Sequence, residues 1–321
     1  MQSLSAPEPK MSDTSPHHTH FARLLEEAAN LPAIPTSVVA PEKPDALAGA
    51  LLGADHGLID PILIGDMSKI EAVAGDLGVD ISAYRSIDVP NHDAAAAKGV
   101  ALVHEGAAKA VMKGHLHTDV LLRHVVKREG GLRIGRRLSH VFVTDVPGSE
   151  RLVLITDGAI NVLPDLTTKA DTTQNAIDLA RTLGVEVPHV AILSAVESVT
   201  EAVPSTLDAA EIVARAKAGE ISGGIVEGPL SMDIAVDQAA AQGKGLSSVV
   251  AGRADVMVVP NLEAGNMFAK ALTHYAGAEK AGIVMGAAVP IILTSRSDGK
   301  MARLASCAVA ALYEAHKDSL S

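Results

Sequence analysis

The sequence predicts an α/β protein with helices packed on a mostly parallel sheet, and three observations predict it. Helix-like and strand-like segments alternate along most of the chain. The strand-like segments are short continuous aliphatic runs, the pattern of strands buried on both faces. The core must be built from Ala, Val, Leu, Ile and Met, because the chain is 48% hydrophobic but 2% aromatic, with no Trp, three Tyr and three Phe. At 321 residues there is room for two domains of ordinary size or one large α/β unit.

In chain order, residues 1–18 are rich in Ser, Pro and polar groups and read as a flexible N-terminal tail, whose His17 and His18, with His20 just beyond, form an incidental cluster. Phe21–Asn30 is helix-like and Thr36–Ala40 strand-like, followed by a helix over Pro44–Leu52 and the strand Pro61–Gly65. A helix over Met67–Leu77 and a short edge piece, Ile87–Pro90, lead to an Ala-rich helix capped by Asn91 or Asp93 and ending near Ala108. Ala107–Met112 reads as a strand, and a helix opens near Thr118-Asp119. His140–Val146 and Leu152–Asp157, separated by Pro147-Gly148, are expected to pair as neighbours. A helix over Lys169–Leu183, strand His189–Ser194, helix Thr206–Ala218 and short strand Gly224–Val226 follow, then a helix to about Ala241. Strand Asp255–Val259, helix Gly265–Ala276, strand Val289–Thr294 and a last helix over Lys300–His316 complete the chain. This rhythm implies parallel strands with right-handed crossovers.

The composition excludes several functions. Too few aromatics are present for stacking on single-stranded nucleic acid, and a net charge of −11 opposes general polyanion binding. Cys307 is the sole cysteine, which rules out an intramolecular disulfide and a cysteine-rich metal cluster; its small neighbours predict a buried position on a helix. No 18-residue apolar span or signal peptide is apparent, so a cytoplasmic setting is expected.

Against that acidic background, Lys113 to Arg137 holds seven Lys or Arg and two acids, a local charge of +5. It begins where a strand ends in Lys113-Gly114 and a helix opens, a geometry that presents backbone N–H groups and partial positive charge to an anion. A solvated basic face is the plainer reading of the same residues. A second loop, Thr294-Ser-Arg-Ser-Asp298-Gly299, crowds hydroxyls, a guanidinium and a carboxylate at a helix start. Arg296 suits a phosphate or carboxylate through its bidentate fork, and Ser295 and Ser297 can donate to phosphate oxygens or a developing oxyanion. Asp298 is either a helix cap or a general base. In Pro260–Asn266, helix capping accounts for Asn266, leaving Asn261 and Glu263 as ligand contacts; Ser231 in Glu227–Asp233 is a helix-cap candidate. His115 and His117 are two apart, a poor zinc spacing, and no G-x-S-x-G elbow, Walker A loop or G-x-G-x-x-G follows a strand.

Five stretches in consistent order, Met112–Thr118, Gly135–Phe142, Glu227–Asp233, Pro260–Asn266 and Thr294–Asp298, resemble phosphate acetyltransferases and phosphate butyryltransferases, over most of the chain from about residue 20. The resemblance implies two doubly wound α/β domains around a cleft, as in isocitrate and isopropylmalate dehydrogenases. The first would comprise residues 19–138 and 283–321 and the second residues 139–282. It implies a homodimer that uses no metal or bound cofactor for chemistry and moves an acyl group between coenzyme A and inorganic phosphate. The family's Ser-Arg pair matches Ser295-Arg296. The acetyl branch carries a catalytic Asp further on, where Ala302 stands here; Asp298 is the nearest carboxylate, as in the butyryl-like branch. Lys113, Gly114, His117, Thr118, Asn261, Gly265 and Asn266 become substrate-binding candidates. Arg133, Arg136 and Arg137 become candidates for the adenosine diphosphate end of coenzyme A. The alternatives are a metal- and NAD-dependent dehydrogenase on the related fold, and an inactive homologue that binds coenzyme A.

Overall fold

The computed structural model describes residues 18–295 and 298–320. The predicted tail, His18 apart, lies outside the described residues, as do Arg296 and Ser297. The chain runs α1 (Thr19–Ala29), β1 (Ile34–Val39), α2 (Pro44–Asp55), β2 (Ile59–Gly65), α3 (Met67–Leu77), β3 (Ser86–Asp88), α4 (His92–His104), β4 (Ala110–Lys113) and α5 (Thr118–Val125). It continues through β5 (Ser139–Asp145), β6 (Val153–Thr156), α6 (Leu166–Thr182), β7 (His189–Leu193), α7 (Pro204–Lys217) and β8 (Ile225–Leu230). The last stretch is α8 (Met232–Val236), α9 (Gln238–Gly243), β9 (Val256–Val258), α10 (Leu262–Tyr275), β10 (Glu279–Met285), β11 (Ile291–Ile292) and α11 (Lys300–His316).

Short polar side chains start several helices: Asp66, Asn91 and Asp165 accept from Lys69 N, Ala94 N and Thr168 N. Asn91, not Asp93, caps α4.

All strands join one sheet in the order β3-β2-β1-β4-β11-β10-β5-β6-β9-β7-β8. Strands β3 to β11 in that order are parallel, and so are β6, β9, β7 and β8. Between them β10 runs antiparallel to both β11 and β5, and β5 antiparallel to β6, so the second parallel set points opposite to the first. The ends of the two sets therefore converge on the central strands from opposite directions. Helices α1, α2, α3, α6, α7 and α11 cover one face, and α4, α5, α8 and α10 the other. Ala302 through Leu312 of α11 are all buried, and burial pushes the Cys307 thiol up to about 12.

The sheet departs from expectation in three places. Glu279–Met285, read as a connection, is the central strand β10, and the expected division at residue 283 falls inside it. The single helix expected to about Ala241 is two, interrupted at Asp237, whose extended backbone starts the second and whose side chain accepts from Ala239 N. The Glu227-Gly-Pro-Leu230 part of its motif lies within strand β8.

Candidate active site

The Lys113 turn is fixed by the end of β1. Gly114 N donates to the Val39 carbonyl at 2.8 Å and His115 N to the Ala40 carbonyl at 2.6 Å. A Cβ on Gly114 would stand 2.4 Å from the Ala40 carbonyl oxygen, so the approach requires glycine. Helix α5 opens directly afterwards, and no side chain caps it. Its first turn presents backbone donors and the positive end of the helix dipole.

That turn borders a cavity of about 450 Å³ on the α5–α10 side of the sheet. Lys113, His117 and Thr118 form one wall, Asn266, Lys270 and His274 of α10 another, and His140, Phe142 and Lys280 the central strands' contribution. Thr294, Ser295 and Asp298 line it from the loop after β11. Lys113 and the described residues of the loop after β11 thus border one cavity.

The loop after β11 is held from two sides. Asp298 Oδ2 accepts from Ser295 N at 2.6 Å, while its Oδ1 lies 3.3 Å from Lys280 Nζ. Arg303 of α11 donates to Thr294 Oγ1 at 3.3 Å and to the Ser295 carbonyl at 3.1 Å, and pairs with Asp45 at 3.2 Å. Of the two roles left open for Asp298, capping is not taken: Gly299 occupies the N-cap of α11 and no side chain bonds there.

His140 is buried in the cavity wall, its ring edge-on to Phe142 with centroids 4.3 Å apart. Burial holds its pKa below the ordinary histidine value, against the opposing pull of Asp157 and Asp298. Asp157 is occupied: it accepts from the backbone N–H groups of Ala159, Ile160 and Asn161.

The remaining candidates divide. Asn266 lines the cavity and donates to the Gly158 carbonyl at 3.2 Å, while Asn261 is the cap of α10, accepting from Ala264 N at 2.9 Å. The expected assignment of these two asparagines is therefore reversed: Asn266 is four residues past the helix start, where it has no end to cap. Gly265 is a packing glycine, since a Cβ there would lie 2.9 Å from the Asp157 carbonyl oxygen. Ser231 occupies the N-cap of α8 but bonds Glu197 and Asp233 side chains instead of a backbone N–H. Arg136 pairs with Asp178 of α6, on the other face of the sheet, and Arg133 and Arg137 are exposed outside the cavity lining. His18 and His20 contact the carbonyls of Asp145 and Ser149, so they dock α1 onto the β5–β6 corner.

His140 and Lys280 also line the cavity, and neither is among the sequence candidates. His140 falls inside the Gly135–Phe142 motif, which is a usable signal; Lys280 falls on β10, whose sequence does not read as a strand.

A basic, partly apolar cavity on one face of an α/β sheet whose direction reverses at its centre is suited to a small anion. The profile of the family described as phosphate acetyl/butaryl transferase matches residues 91–311. A phosphate acetyltransferase from Rhizobium meliloti is 52% identical over 92% of this chain and 94% of its own. A phosphate butyryltransferase from Clostridium acetobutylicum is 40% identical over 82% and 87%. A branched-chain phosphotransacylase structure from Enterococcus faecalis V583 superposes with a TM-score of 0.75 at 29% identity, covering 88% of this chain and 99% of that one. The chain belongs to the phosphate acetyl/butyryltransferase family, and it is a phosphate acyltransferase. The dehydrogenase likeness is one of fold: a 4-hydroxythreonine-4-phosphate dehydrogenase from Klebsiella pneumoniae has a TM-score of 0.52 at 14% identity, over 89% and 98% of the two chains.

Proposed function

We propose that this enzyme transfers a short acyl group reversibly between coenzyme A and inorganic phosphate in a ternary complex within the 450 Å³ cavity. The observation that carries the reading is the meeting of the Lys113 turn, the start of α5 and the Ser295–Asp298 loop around one space. The phosphoryl group of the acyl phosphate is a dianion. Lys113, Lys280, Arg296 and the first N–H groups of α5 balance its charge, and Thr118 and Asn266 offer it hydrogen bonds. The Ser295 hydroxyl donates to the carbonyl oxygen as charge builds there. Holding both substrates in line supplies much of the remaining acceleration. Exposed Arg133 and Arg137 serve the diphosphate end of coenzyme A, with Arg136 tied to Asp178. The chain acts as a homodimer, with lobes formed by residues 19–138 plus 283–321 and by residues 139–282.

Acetyl is the first acyl group to test, because the 52% identical relative is named a phosphate acetyltransferase; butyryl is the second, from the 40% identical relative. The test is a chain-length series of acyl phosphates with coenzyme A, read as thioester formation and phosphate release. Arg296→Ala should lower kcat/KM by about 10²-fold or more, the loss typical of removing one donor to transition-state charge. No thioester from any short acyl phosphate would overturn the proposal.

A further inference from the structure

Thr294 and Ser295 line the cavity, yet part of what fixes them comes from α11, on the other face of the sheet. Arg303 lies in the first turn of that helix and is 7% exposed. Its Nη1 donates to Thr294 Oγ1 at 3.3 Å, and its Nη2 to the Ser295 carbonyl at 3.1 Å and to Asp45 Oδ2 at 3.2 Å. From the other side, Ser295 N–H donates to Asp298 Oδ2 at 2.6 Å. Both backbone polar groups of this exposed serine are therefore held by charged side chains. A planar guanidinium fixes direction as well as distance in such bonds. The arginine stem reaches the loop over Gly49 of α2, where a Cβ would stand 2.9 Å from its Cδ. Glycine weakens a helix interior, and here its missing side chain is what lets the stem pass. An ion pair for stability alone needs only Asp45; two of the three bonds go instead to consecutive cavity residues.

We propose that Arg303 is a positioning residue for acyl transfer: through the Thr294 hydroxyl and the Ser295 carbonyl it holds Ser295 where its own hydroxyl meets the carbonyl oxygen of the acyl group. The inference rests on the acyltransferase reading and deepens it, because it draws into the reaction a residue that does not line the 450 Å³ cavity. Arg303 acts only through the loop. A lysine ammonium, a point charge without the planar fork, could not pair with Asp45 and keep both loop acceptors in direction. The bond from Ser295 to the carbonyl oxygen strengthens as charge builds there, so a displaced serine lowers kcat and leaves substrate binding largely intact.

The test is steady-state kinetics of Arg303→Ala with acetyl phosphate and coenzyme A, with and without N-ethylguanidinium. Arg303 also lines a cavity of about 470 Å³ between α2, α3 and the start of α11, which gives a small guanidinium a way to the place the side chain leaves. In Arg303→Ala kcat should fall about 10²-fold, the scale of a misplacement of about 1 Å. The KM of either substrate should move by less than about threefold. Ethylguanidinium should restore kcat by about tenfold or more, and ethylammonium, of the same charge, should not. Added to Ser295→Ala, Arg303→Ala should lower kcat little further, as expected of residues that act as a unit. Absence of rescue by ethylguanidinium, equal rescue by ethylammonium, or losses that multiply fully in the double variant overturn the assignment. If Arg303→Ala does not fold, Arg303→Lys is measured instead: a lowered kcat at unchanged KM supports the assignment, and a wild-type kcat overturns it. A wild-type enzyme that forms no thioester sinks the acyltransferase reading itself, whereas an active wild type with a fully active Arg303→Ala sinks only this inference.

Discussion

Lys280 gives the most direct check on how the loop after β11 is held. Its Nζ lies 3.3 Å from Asp298 Oδ1, and the two side chains are only 15% and 7% exposed. At that distance and an effective dielectric of ~20 the gross attraction is about 5 kcal/mol. Desolvation of both groups offsets part of this, but Lys280→Met leaves the carboxylate nearly buried with one backbone donor. Breaking a buried pair from one side costs about 3–5 kcal/mol, and the residual exposure of Lys280 lowers the expectation to about 2–3. Lys280→Met/Asp298→Asn removes both charges and should cost less than the sum of the single changes, with a coupling of about 1–2 kcal/mol. The assay is denaturant unfolding, read as a shift in midpoint at constant slope. Strict additivity, or a loss under about 0.5 kcal/mol in Lys280→Met, would refute the claim that this pair fastens the loop.

Two further substitutions probe the walls of the cavity. Gly114→Ala forces a methyl to within 2.4 Å of the Ala40 and Val39 carbonyl oxygens; it should destabilise by about 1–3 kcal/mol and, by moving Lys113, lower kcat/KM by about 10²-fold, measured by melting and steady-state kinetics together. Asn261→Ala should cost about 1 kcal/mol of stability, as an N-cap does, and leave kcat nearly unchanged. Asn266→Ala should do the reverse, and exchange of the two phenotypes would contradict the assignment of cap and cavity residue.

Much of the fold was legible because parallel strands buried on both faces announce themselves as aliphatic runs, as in Pro61–Gly65 and Asp255–Val259. The strand β10 was not legible: Ala281 and Gly282 have little strand preference, and Glu279-Lys280 reads as surface. What makes Glu279–Met285 a strand is its partners, β5 along seven residues and β11 along two, brought from 134–146 and 7–9 positions away. The candidate site was legible in its loops: Lys113 ends β4, and Thr294-Ser295 follow β11, where the ligand rule for α/β sheets points. The asparagines were misassigned because a cap is decided by which residue has the extended backbone, and α10 begins three residues earlier than its apolar pattern suggested.

The same missing strand explains why the site's floor was invisible. A sheet of one direction would send its loops to one edge and put His140 in mid-sheet, far from any ligand. Because β10 and β5 run antiparallel at the centre, Lys113 from one parallel set and the Asp157–Ala159 turn from the other arrive on either side of the same pair. His140 and Phe142 are then strand residues with loops at both ends, the floor of a cavity instead of the middle of a covered face. With that reversal, a buried histidine on β5 ceases to be a core oddity, because the turns that end strands of both parallel sets border the same cavity wall.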